Sequence, residues 1–482
     1  MWLKFTAIAL AALLLSLGSS MTHAQNAAEH ETELTLQAYA AGYLAGFTCS
    51  ATFNANKNPT AIQRDELTGS YELVQQRITE LEAEVDYERK RVVVSYATEM
   101  PPRIAQWRPG LGCVHLPVGS TVDYNLADLP QLSDGAARKI PQQDDGQPWQ
   151  ERAELNQSSG SAALDRVIAQ AFSDHYGAGA RTSAVLIATP EKIIAEHYRP
   201  GFTPTTAQRT WSVAKSIGTS VIGVAIQQGI LDPSAPAALK QWQSSFDPRL
   251  QISVEHLLHM ASGLDSNVAG NRTDRLYMGG GRVLDTAASV ALEAVPGQRW
   301  KYANNDTLLA LRALAERFPN QQAYIDFPYT QLLDKLGMHH TFIETDWNGD
   351  FILSSHVWTT SRDLARLGVL HLQQGRWQGE QILPPDWLSY ISRPAPAQPP
   401  LRNSAGDLTP GYGAQWWLYN RDFPGLPNDT IAARGNRGQY LFIIPSKQLV
   451  VVRRGYDLRG EPRFREERFV ADVLAALEQS DL

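Results

Sequence analysis

The first third of the chain combines helical and strand-like hydrophobic patterns. Between residues 29 and 48, apolar residues recur at three- and four-residue spacing, which predicts a helix with one buried face. A similar pattern predicts a second helix over 59–86, and the valine-rich run 91–96 predicts a strand. We therefore expect residues 25–132 to form a small α+β domain. This part of the sequence carries no catalytic motif, and its role is left open.

Residues 133–161 are rich in Asp, Gln, Gly, Pro and Ser and show little apolar periodicity, so we interpret them as a linker. A second domain is expected at 162–482. The elements predicted near its two ends are the helices Leu164–Phe172 and Arg465–Leu477 and the strands Thr182–Ala188, Lys192–Tyr198, Gln439–Ile444 and Gln448–Arg453.

The sequence between these strands is mainly helical. Residues 217–226 form an apolar run that contains no charge, and this pattern predicts a buried helix. Strands at both ends of a domain, with helices between them, indicate one antiparallel sheet that the two ends complete. The expected fold class is α+β: an antiparallel sheet flanked by helices with an inserted helical lobe, preceded by a small disulfide-containing α+β domain.

The composition of the 482-residue chain is that of a globular protein, with 43% hydrophobic and 19% charged residues. The formal net charge is -7, and no long run of Lys and Arg is present on which phosphates could dock. We therefore expect no nucleic-acid partner and no attraction to an anionic membrane surface.

Residues 1–24 have the layout of a cleavable signal peptide. One Lys lies near the start, an apolar stretch runs from Phe5 to Leu17, and small and polar residues end at Ala24. The apolar stretch is shorter than the roughly 20 residues that span a bilayer, although a membrane anchor is the alternative. The pattern predicts a periplasmic or secreted protein, cleaved near Ala24, without stable membrane insertion afterwards.

The chain has two cysteines, Cys49 and Cys113, and both lie in its N-terminal third. In an oxidising compartment two thiols in one small region are expected to pair, so we predict a disulfide between them. No His or Cys stands at finger-like spacing beside either one, which disfavours a metal site.

The tetrad Ser212-Val213-Ala214-Lys215 directly precedes the predicted buried helix and is the only S-x-x-K in the chain. Residues three apart on a helix share a face, so the Lys215 amine can reach the Ser212 hydroxyl. Packing against an apolar helix lowers the pKa of a lysine, which lets the neutral amine act as base for a serine nucleophile. Taken alone, the tetrad also fits a surface lysine near a helix start.

Two further motifs follow the tetrad. Tyr302-Ala303-Asn304 is the only Y-x-N in the chain: the phenol can relay a proton, and the Asn304 amide can bind Lys215 or a substrate carbonyl. The glycine-rich segment 433–439 can let a substrate lie against a strand edge and can add a backbone N–H to an oxyanion hole. In isolation, each of these two motifs also fits an ordinary turn.

Together and in this order, the three segments resemble the S-x-x-K, Y-x-N and K-T-G motifs of serine β-lactamases and penicillin-binding proteins. The resemblance covers roughly 160–480 and is strongest to the class C β-lactamase-related branch. The segment 435–439, Gly-Asn-Arg-Gly-Gln, is similar to the branch that contains 6-aminohexanoate-dimer hydrolases and carboxylesterases. Proteins of this group share a sheet flanked by helices plus a helical lobe, with the active site between them.

The resemblance implies that Ser212 is the acyl-accepting nucleophile and that Lys215 and Tyr302 form the general base pair. It also implies an oxyanion hole made by the backbone N–H groups of Ser212 and Asn436. The residues expected to contact substrate are Asn304, Arg434, Arg437 and Gln439. The chain departs from the family pattern at 433–435, where Ala-Arg-Gly replaces the Lys-Thr-Gly that helps hold a β-lactam carboxylate.

We therefore expect a serine hydrolase that cleaves a small-molecule ester, amide or peptide through an acyl-enzyme, with no cofactor and no metal. A D-alanyl peptidase or β-lactamase is one alternative, and a non-catalytic binding or scaffold protein is another. The chain lacks the G-x-S-x-G and H-E-x-x-H patterns, which disfavours an α/β-hydrolase elbow and a zinc protease. His339, His340 and His356 are interpreted as surface or core histidines.

Overall fold

The computed structural model of the chain describes residues 32–69, 71–134, 140–266 and 273–480. The predicted signal peptide at 1–24 lies outside the described residues. Within the part of the chain that the structure describes, no helix is both long enough and apolar enough to cross a membrane.

The N-terminal region, which we define as residues 32–134, combines helices with an antiparallel sheet of four strands. Its elements are α1 at 32–53, α2 Pro59–Ile62, α3 Glu72–Ile78, β1 Glu84–Asp86, β2 Arg91–Val94, β3 Arg103–Arg108 and β4 Gly112–His115. The single helix predicted over 59–86 is wrong. The chain is extended at Thr68 and takes a left-handed φ of 68° at Gly69, which separates α2 from α3.

The rest of the chain supplies the other elements. Its strands are β5 Glu151–Arg152, β6 Thr182–Ala188, β7 Lys192–Tyr198, β8 Gln208–Arg209, β9 Phe342–Ile343, β10 Val357–Thr359, β11 Arg376–Trp377, β12 Glu380–Gln381, β13 Gly411–Tyr412, β14 Trp417–Leu418, β15 Ile431–Gly435, β16 Gln439–Ile444 and β17 Leu449–Gly455. Its α-helices are α4 Ala162–Ala171, α5 Val213–Gln227, α6 Val254–Leu258, α7 Asp274–Tyr277, α8 Val283–Thr286, α9 Asn304–Ala315, α10 Gln321–Pro328, α11 Ser361–Leu372, α12 Trp387–Ser392 and α13 Glu466–Glu478.

The central sheet has eight strands in the order β13-β14-β15-β16-β17-β6-β7-β5. Strand β6 pairs antiparallel with β17, so the two ends of the domain meet in the middle of the sheet, as predicted. Along β16, Leu441 and Ile443 face the core shared with α5 and α11, whereas Tyr440 and Phe442 face the core shared with α4 and α13. The predicted α+β class, a sheet flanked by helices, is therefore confirmed.

Helix α5 is the buried helix that the apolar run predicts. Its residues from Val213 to Ala225 are buried, and Lys215 is the one charged side chain among them. Gly223 allows close packing, since a Cβ at this position would lie 2.7 Å from the Trp387 ring of α12. Because α5 packs against α9, β15 and β16, its first turn lies where the helical lobe meets the sheet.

The N-terminal region shares a hydrophobic core with the helical lobe. Tyr43 and Phe47 of α1 belong to the same buried cluster as Trp211, which precedes α5. A buried hydrogen bond crosses the same boundary, since Ser50 Oγ donates to the Glu344 carboxylate at 2.6 Å. The two parts of the chain are thus packed directly together.

Cys49 in α1 and Cys113 in β4 form a disulfide, as predicted. The bridge joins the helical and sheet layers of the N-terminal region. It lies next to the contact with the helical lobe, because the Cys113 backbone N–H donates to Glu344 at 3.2 Å.

The disulfide spans 64 residues of sequence, so its loss should give the unfolded chain more freedom. We predict that the Cys49→Ala/Cys113→Ala variant loses about 2–5 kcal/mol of unfolding free energy. Urea unfolding followed by tryptophan fluorescence measures the change. Reduced wild type should show a similar loss, and the variant should not respond to reductant; an unchanged unfolding midpoint in the variant would contradict the prediction.

Candidate active site

Ser212 lies between strand β8 and helix α5, at the junction of the helical lobe and the sheet. It is the N-cap residue of α5, but its side chain makes no capping hydrogen bond to the helix. The hydroxyl is therefore available to other side chains. One turn later, Lys215 Nζ lies 3.2 Å from Ser212 Oγ, which is the contact expected for this spacing.

The Lys215 amine is buried and fully hydrogen-bonded. Besides Ser212 Oγ, it donates to Asn304 Oδ1 and to the Ser354 carbonyl oxygen, both at 2.7 Å. All three acceptors are uncharged, so they orient the amine without supplying a counter-charge. Burial lowers the pKa of Lys215 to about 7, because desolvation penalises the ammonium form. A substantial fraction of the amine is consequently neutral near physiological pH.

Tyr302, which precedes helix α9, lies close to Ser212. Burial raises the pKa of Tyr302 to about 12, although its interaction with the Ser212 side chain lowers the pKa in part. The ring is stacked on Trp417, with centroids 5.7 Å apart, and Lys215 Nζ lies 5.0 Å from its centroid. The phenol thus remains protonated at neutral pH, and its ring lies beside the amine.

Asn304 is the first residue of α9, and its amide joins two parts of the site. Its Oδ1 accepts from Lys215, while its Nδ2 donates to Thr273 Oγ1 at 3.0 Å. Both ends of the amide are used, so its orientation is fixed. The side chain therefore holds the amine of Lys215 in place.

The third motif lies at the turn between β15 and β16, directly beside Ser212. A Cβ at Gly435 would lie 2.2 Å from the Thr210 carbonyl oxygen and 3.3 Å from the Ser212 nitrogen. Only glycine allows the strand to approach this closely. Ser212 and Asn436, the two residues expected to form the oxyanion hole, both line a cavity of about 470 Å³.

Arg434 lines the same cavity, and a buried acid largely neutralises the positive charge of its guanidinium. Its guanidinium forms an ion pair with the buried Glu466 at 2.6 Å and lies 5.1 Å from the Trp417 ring centroid. The carboxylate of Glu466 raises the pKa of Arg434 above its usual value. The cavity therefore contains a cation whose charge is shared with helix α13.

The side chains of Arg437 and Gln439 are committed to the turn itself. The Arg437 guanidinium donates to the carbonyl oxygens of Asp65, Tyr456 and Asp457. The buried Gln439 amide donates to the Gly455 carbonyl and accepts from Arg454. These hydrogen bonds hold both side chains in the turn; Arg437 also lines the cavity, and Gln439 is not among the residues that line it.

Two components of the site carry no sequence signal of their own. Ser354 contributes a backbone carbonyl, which any residue possesses. Trp417 supports Tyr302 and Arg434 from strand β14, in a segment without a recognisable motif. Both belong to elements that meet Ser212 only through the tertiary fold.

One group of side chains has the spacing of metal ligands. Ligand atoms of Asp144, His340 and Asp363 lie within 4.8 Å of one another. However, Arg366 donates to Asp144 at 2.7 Å and to Asp363 at 2.8 Å, so arginine already compensates both carboxylates. This group ties the segment around Asp144 to α11, and we assign no metal to it.

The comparison with known proteins agrees with this geometry. The family model described as Beta-lactamase matches residues 164–474. The 6-aminohexanoate-dimer hydrolase of Paenarthrobacter ureafaciens is 26% identical over 302 residues, which cover 56% of this chain and 72% of the relative.

Two solved structures show the same fold. A family VIII carboxylesterase superposes with a TM-score of 0.53 at 12% identity, covering 68% of this chain and 99% of its own. A penicillin-binding protein homologue from Caulobacter crescentus has a TM-score of 0.52 at 13% identity, with coverage of 68% and 99%. At these identities, the likeness concerns the fold alone.

The family match includes all three motifs and covers more than half of the chain, whereas the N-terminal region lies outside it. The resemblance inferred from the motifs is thereby confirmed. The chain is a hydrolase of the β-lactamase family.

Proposed function

We propose that the protein is a serine hydrolase that cleaves an ester or a linear amide through an acyl-enzyme on Ser212. The observation that carries the proposal is the contact of 3.2 Å between Ser212 Oγ and the Lys215 amine, whose pKa is lowered to about 7. A serine hydroxyl needs a base, and a neutral lysine amine at this distance is one. A scaffold protein would gain nothing from burying a lysine in this state.

In the acylation step, Lys215 accepts the proton of Ser212 while Oγ attacks the substrate carbonyl carbon. The negative charge that develops on the carbonyl oxygen is stabilised by the backbone N–H groups of Ser212 and Asn436. Tyr302 then donates its proton to the leaving alkoxide or amine and recovers one from Lys215. The carbonyl–heteroatom bond breaks, which leaves the acyl group on Ser212.

Deacylation repeats these steps with water as the nucleophile. The amine accepts a proton from water, and the hydroxide adds to the ester carbonyl of the acyl-enzyme. The oxyanion occupies the same pair of N–H groups. Collapse of the intermediate expels Ser212 Oγ, which is reprotonated as the carboxylic acid product leaves.

The third motif supports linear substrates over β-lactams. Ala433 and Arg434 stand where the family has Lys and Thr, and the Arg434 charge is paired with Glu466 at 2.6 Å. In the family, free Lys and Thr groups hold the carboxylate of a β-lactam. In this chain, such a carboxylate thus lacks its usual partners. The relative from Paenarthrobacter ureafaciens is named for the hydrolysis of a linear amide, which supports the same substrate class.

Ser212→Ala should lower kcat/KM on p-nitrophenyl esters by at least about 10³-fold, because the covalent step is lost. Ser220→Ala on the same helix is the matched control. Its hydroxyl donates only to the Ser216 carbonyl, so kcat/KM should stay close to wild type. Initial rates and intact mass after fluorophosphonate labelling provide the two readouts.

Equal rates for wild type and Ser212→Ala would contradict the proposal. The same pair of proteins also separates substrate classes when assayed on short-chain esters, linear amides, D-Ala-D-Ala peptides and a chromogenic cephalosporin. Preferential turnover of the peptides or the cephalosporin would favour a D-alanyl peptidase or β-lactamase over the proposed esterase or amidase.

The pH profile should report the protonation of Lys215. Since the neutral amine is the active form, kcat/KM is expected to rise as pH increases through about 7 and then to level off. Tyr302, with a pKa near 12, keeps its proton over this range. Rates on an uncharged ester from pH 5 to 9 test the profile, with circular dichroism to verify folding. A rate that is flat, or that falls with rising pH, would contradict the assignment.

Tyr302→Phe should retain the stacking on Trp417 while losing the proton donor. We expect kcat to fall by about 10²–10⁴-fold, the usual contribution of a positioned acid or base, with little change in KM. Tyr412→Phe is the matched control, because Tyr412 lies in the same aromatic cluster, 6.1 Å from Tyr302 between ring centroids. Similar kinetics for the two variants would argue against a proton-transfer role for Tyr302.

A further inference from the structure

The N-terminal region lies outside the family match, yet it contacts the two turns that form the catalytic centre. We propose that this region is a positioning element for catalysis, which holds the turn before Ser212 and the turn that contains Asn436. The positioning residues are Phe47 of this region and Arg437, which binds the Asp65 carbonyl oxygen of this region. The inference rests on the proposed function, since it assigns its effect to the nucleophile and the oxyanion hole.

The first contact is made at Trp211, the residue before the nucleophile. Trp211 has a φ of 50°, a left-handed conformation that is unfavourable for a bulky residue and persists only where the surroundings enforce it. Its ring centroid lies 5.8 Å from that of Phe47 and 6.0 Å from that of Tyr71. Both of these rings belong to the N-terminal region.

Arg209 strengthens this contact. Its guanidinium lies 3.9 Å from the Phe47 ring centroid and 4.1 Å from that of Trp211. Its Nη2 donates to Ser355 Oγ at 3.2 Å, next to the Ser354 carbonyl that accepts from Lys215. Phe47 thus supports both the strained residue and the segment behind the base.

The second contact is made at Arg437, which directly follows Asn436. Its Nη1 donates to the carbonyl oxygen of Asp65 at 2.5 Å, and its other nitrogens donate to the carbonyls of Tyr456 and Asp457 at 3.3 Å. Arg437 also has a left-handed φ of 58°. One guanidinium therefore joins the N-terminal region, the end of β17 and the turn that supplies an oxyanion-hole N–H.

The N-terminal side of this second contact is itself firmly held. The Asp65 carboxylate accepts from Arg199 at 2.9 Å, and Lys57 lies 3.5 Å from it. Lys57 Nζ also donates to Tyr456 Oη at 2.7 Å. The segment around Asp65 is thereby attached to the residues that directly follow β7 and β17, so Arg437 has a fixed partner.

Both contacts affect the spacing of the two backbone N–H groups assigned to the oxyanion hole. Gly435 lies against both Thr210 and Ser212, so the two turns touch, and the spacing of the Ser212 and Asn436 N–H groups depends on both. Lys215, by contrast, is held by Asn304 and the Ser354 carbonyl, and Tyr302 is stacked on Trp417. Because an oxyanion hole is sensitive to sub-ångström displacement, loosening either contact should lower kcat more than it raises KM.

The test compares two matched pairs of variants on an activated ester. Phe47→Leu removes the ring that supports Trp211, whereas Phe53→Leu on the same helix removes a ring that packs within the N-terminal region, against Tyr87 and Trp107. Arg437→Lys keeps the charge but cannot reach three carbonyls. Arg199→Lys alters an arginine that binds the Asp65 carboxylate but is not part of the turn.

We expect Phe47→Leu and Arg437→Lys to lower kcat by about tenfold or more, with KM changed by less than about threefold. Phe53→Leu and Arg199→Lys should keep kcat within about twofold of wild type, whatever they lose in thermal stability. Rates are referred to the folded fraction, measured by circular dichroism, so that unfolding does not imitate a catalytic defect. The two pairs are independent, so one variant that fails to fold leaves the other pair decisive.

If wild type is active and both Phe47→Leu and Arg437→Lys keep its kcat, the inference is overturned while the proposed function stands. An equal loss of kcat in each variant and its control does the same, since the region would then only stabilise the fold. A wild type no faster than Ser212→Ala contradicts the proposed function and, with it, the inference.

Discussion

The site depends on keeping one ammonium-forming group out of water without giving it a counter-charge. Lys215 lies in the first turn of an otherwise uncharged helix, and its hydrogen-bond acceptors are a hydroxyl, an amide oxygen and a peptide oxygen. These groups fix the direction of the amine but leave desolvation to determine its pKa. A carboxylate in place of any of them would favour the charged form of the amine. Helices α5 and α9 and the segment at Ser354 must therefore meet at one point.

On the far side of the cavity, by contrast, a positive charge is paired with a buried negative charge. Arg434 keeps its charge, and a buried acid on α13 pairs with it, so the two together present a weaker field than an isolated cation. Trp417 covers the guanidinium and also stacks on Tyr302, which connects the cation and the phenol through one indole. The residues that line this cavity include the aromatic residues Tyr302, Trp417 and Tyr440, the arginines Arg434, Arg437, Arg459 and Arg463, and the acids Asp457 and Glu461. The cavity wall is thus both aromatic and charged.

The motifs and the sheet could be predicted from the sequence because local spacing determines them. Ser212 and Lys215 share a helical face in any chain that folds as a helix there, and a hairpin near residue 445 needs only its own two strands. The break near Gly69 could not be predicted, because the apolar periodicity continues across it although the helix is interrupted there. The sequence also does not show that Arg434 and Arg437 of the third motif have different roles. Arg434 and Arg437 are the same residue type three positions apart, and only tertiary contacts direct one toward the cavity and the other toward Asp65. The contribution of Ser354 has no side-chain signature at all.

The pairing of β6 with β17 determines when during synthesis the hydrolase can become complete. Strand β6 leaves the ribosome with the first part of the domain, but its neighbour β17, together with β15 and β16 beyond it in the sheet, is translated more than 200 residues later. Until they emerge, the sheet has an open edge at its centre and the turn at Ser212 lacks the strand end that lies against it. A nascent chain therefore contains the turn at Ser212 and the amine of Lys215 long before it contains Gly435, which packs against that turn. The cavity at Ser212 stays incomplete until strand β15 and the turn after it have been made, whatever machinery handles the chain in the meantime.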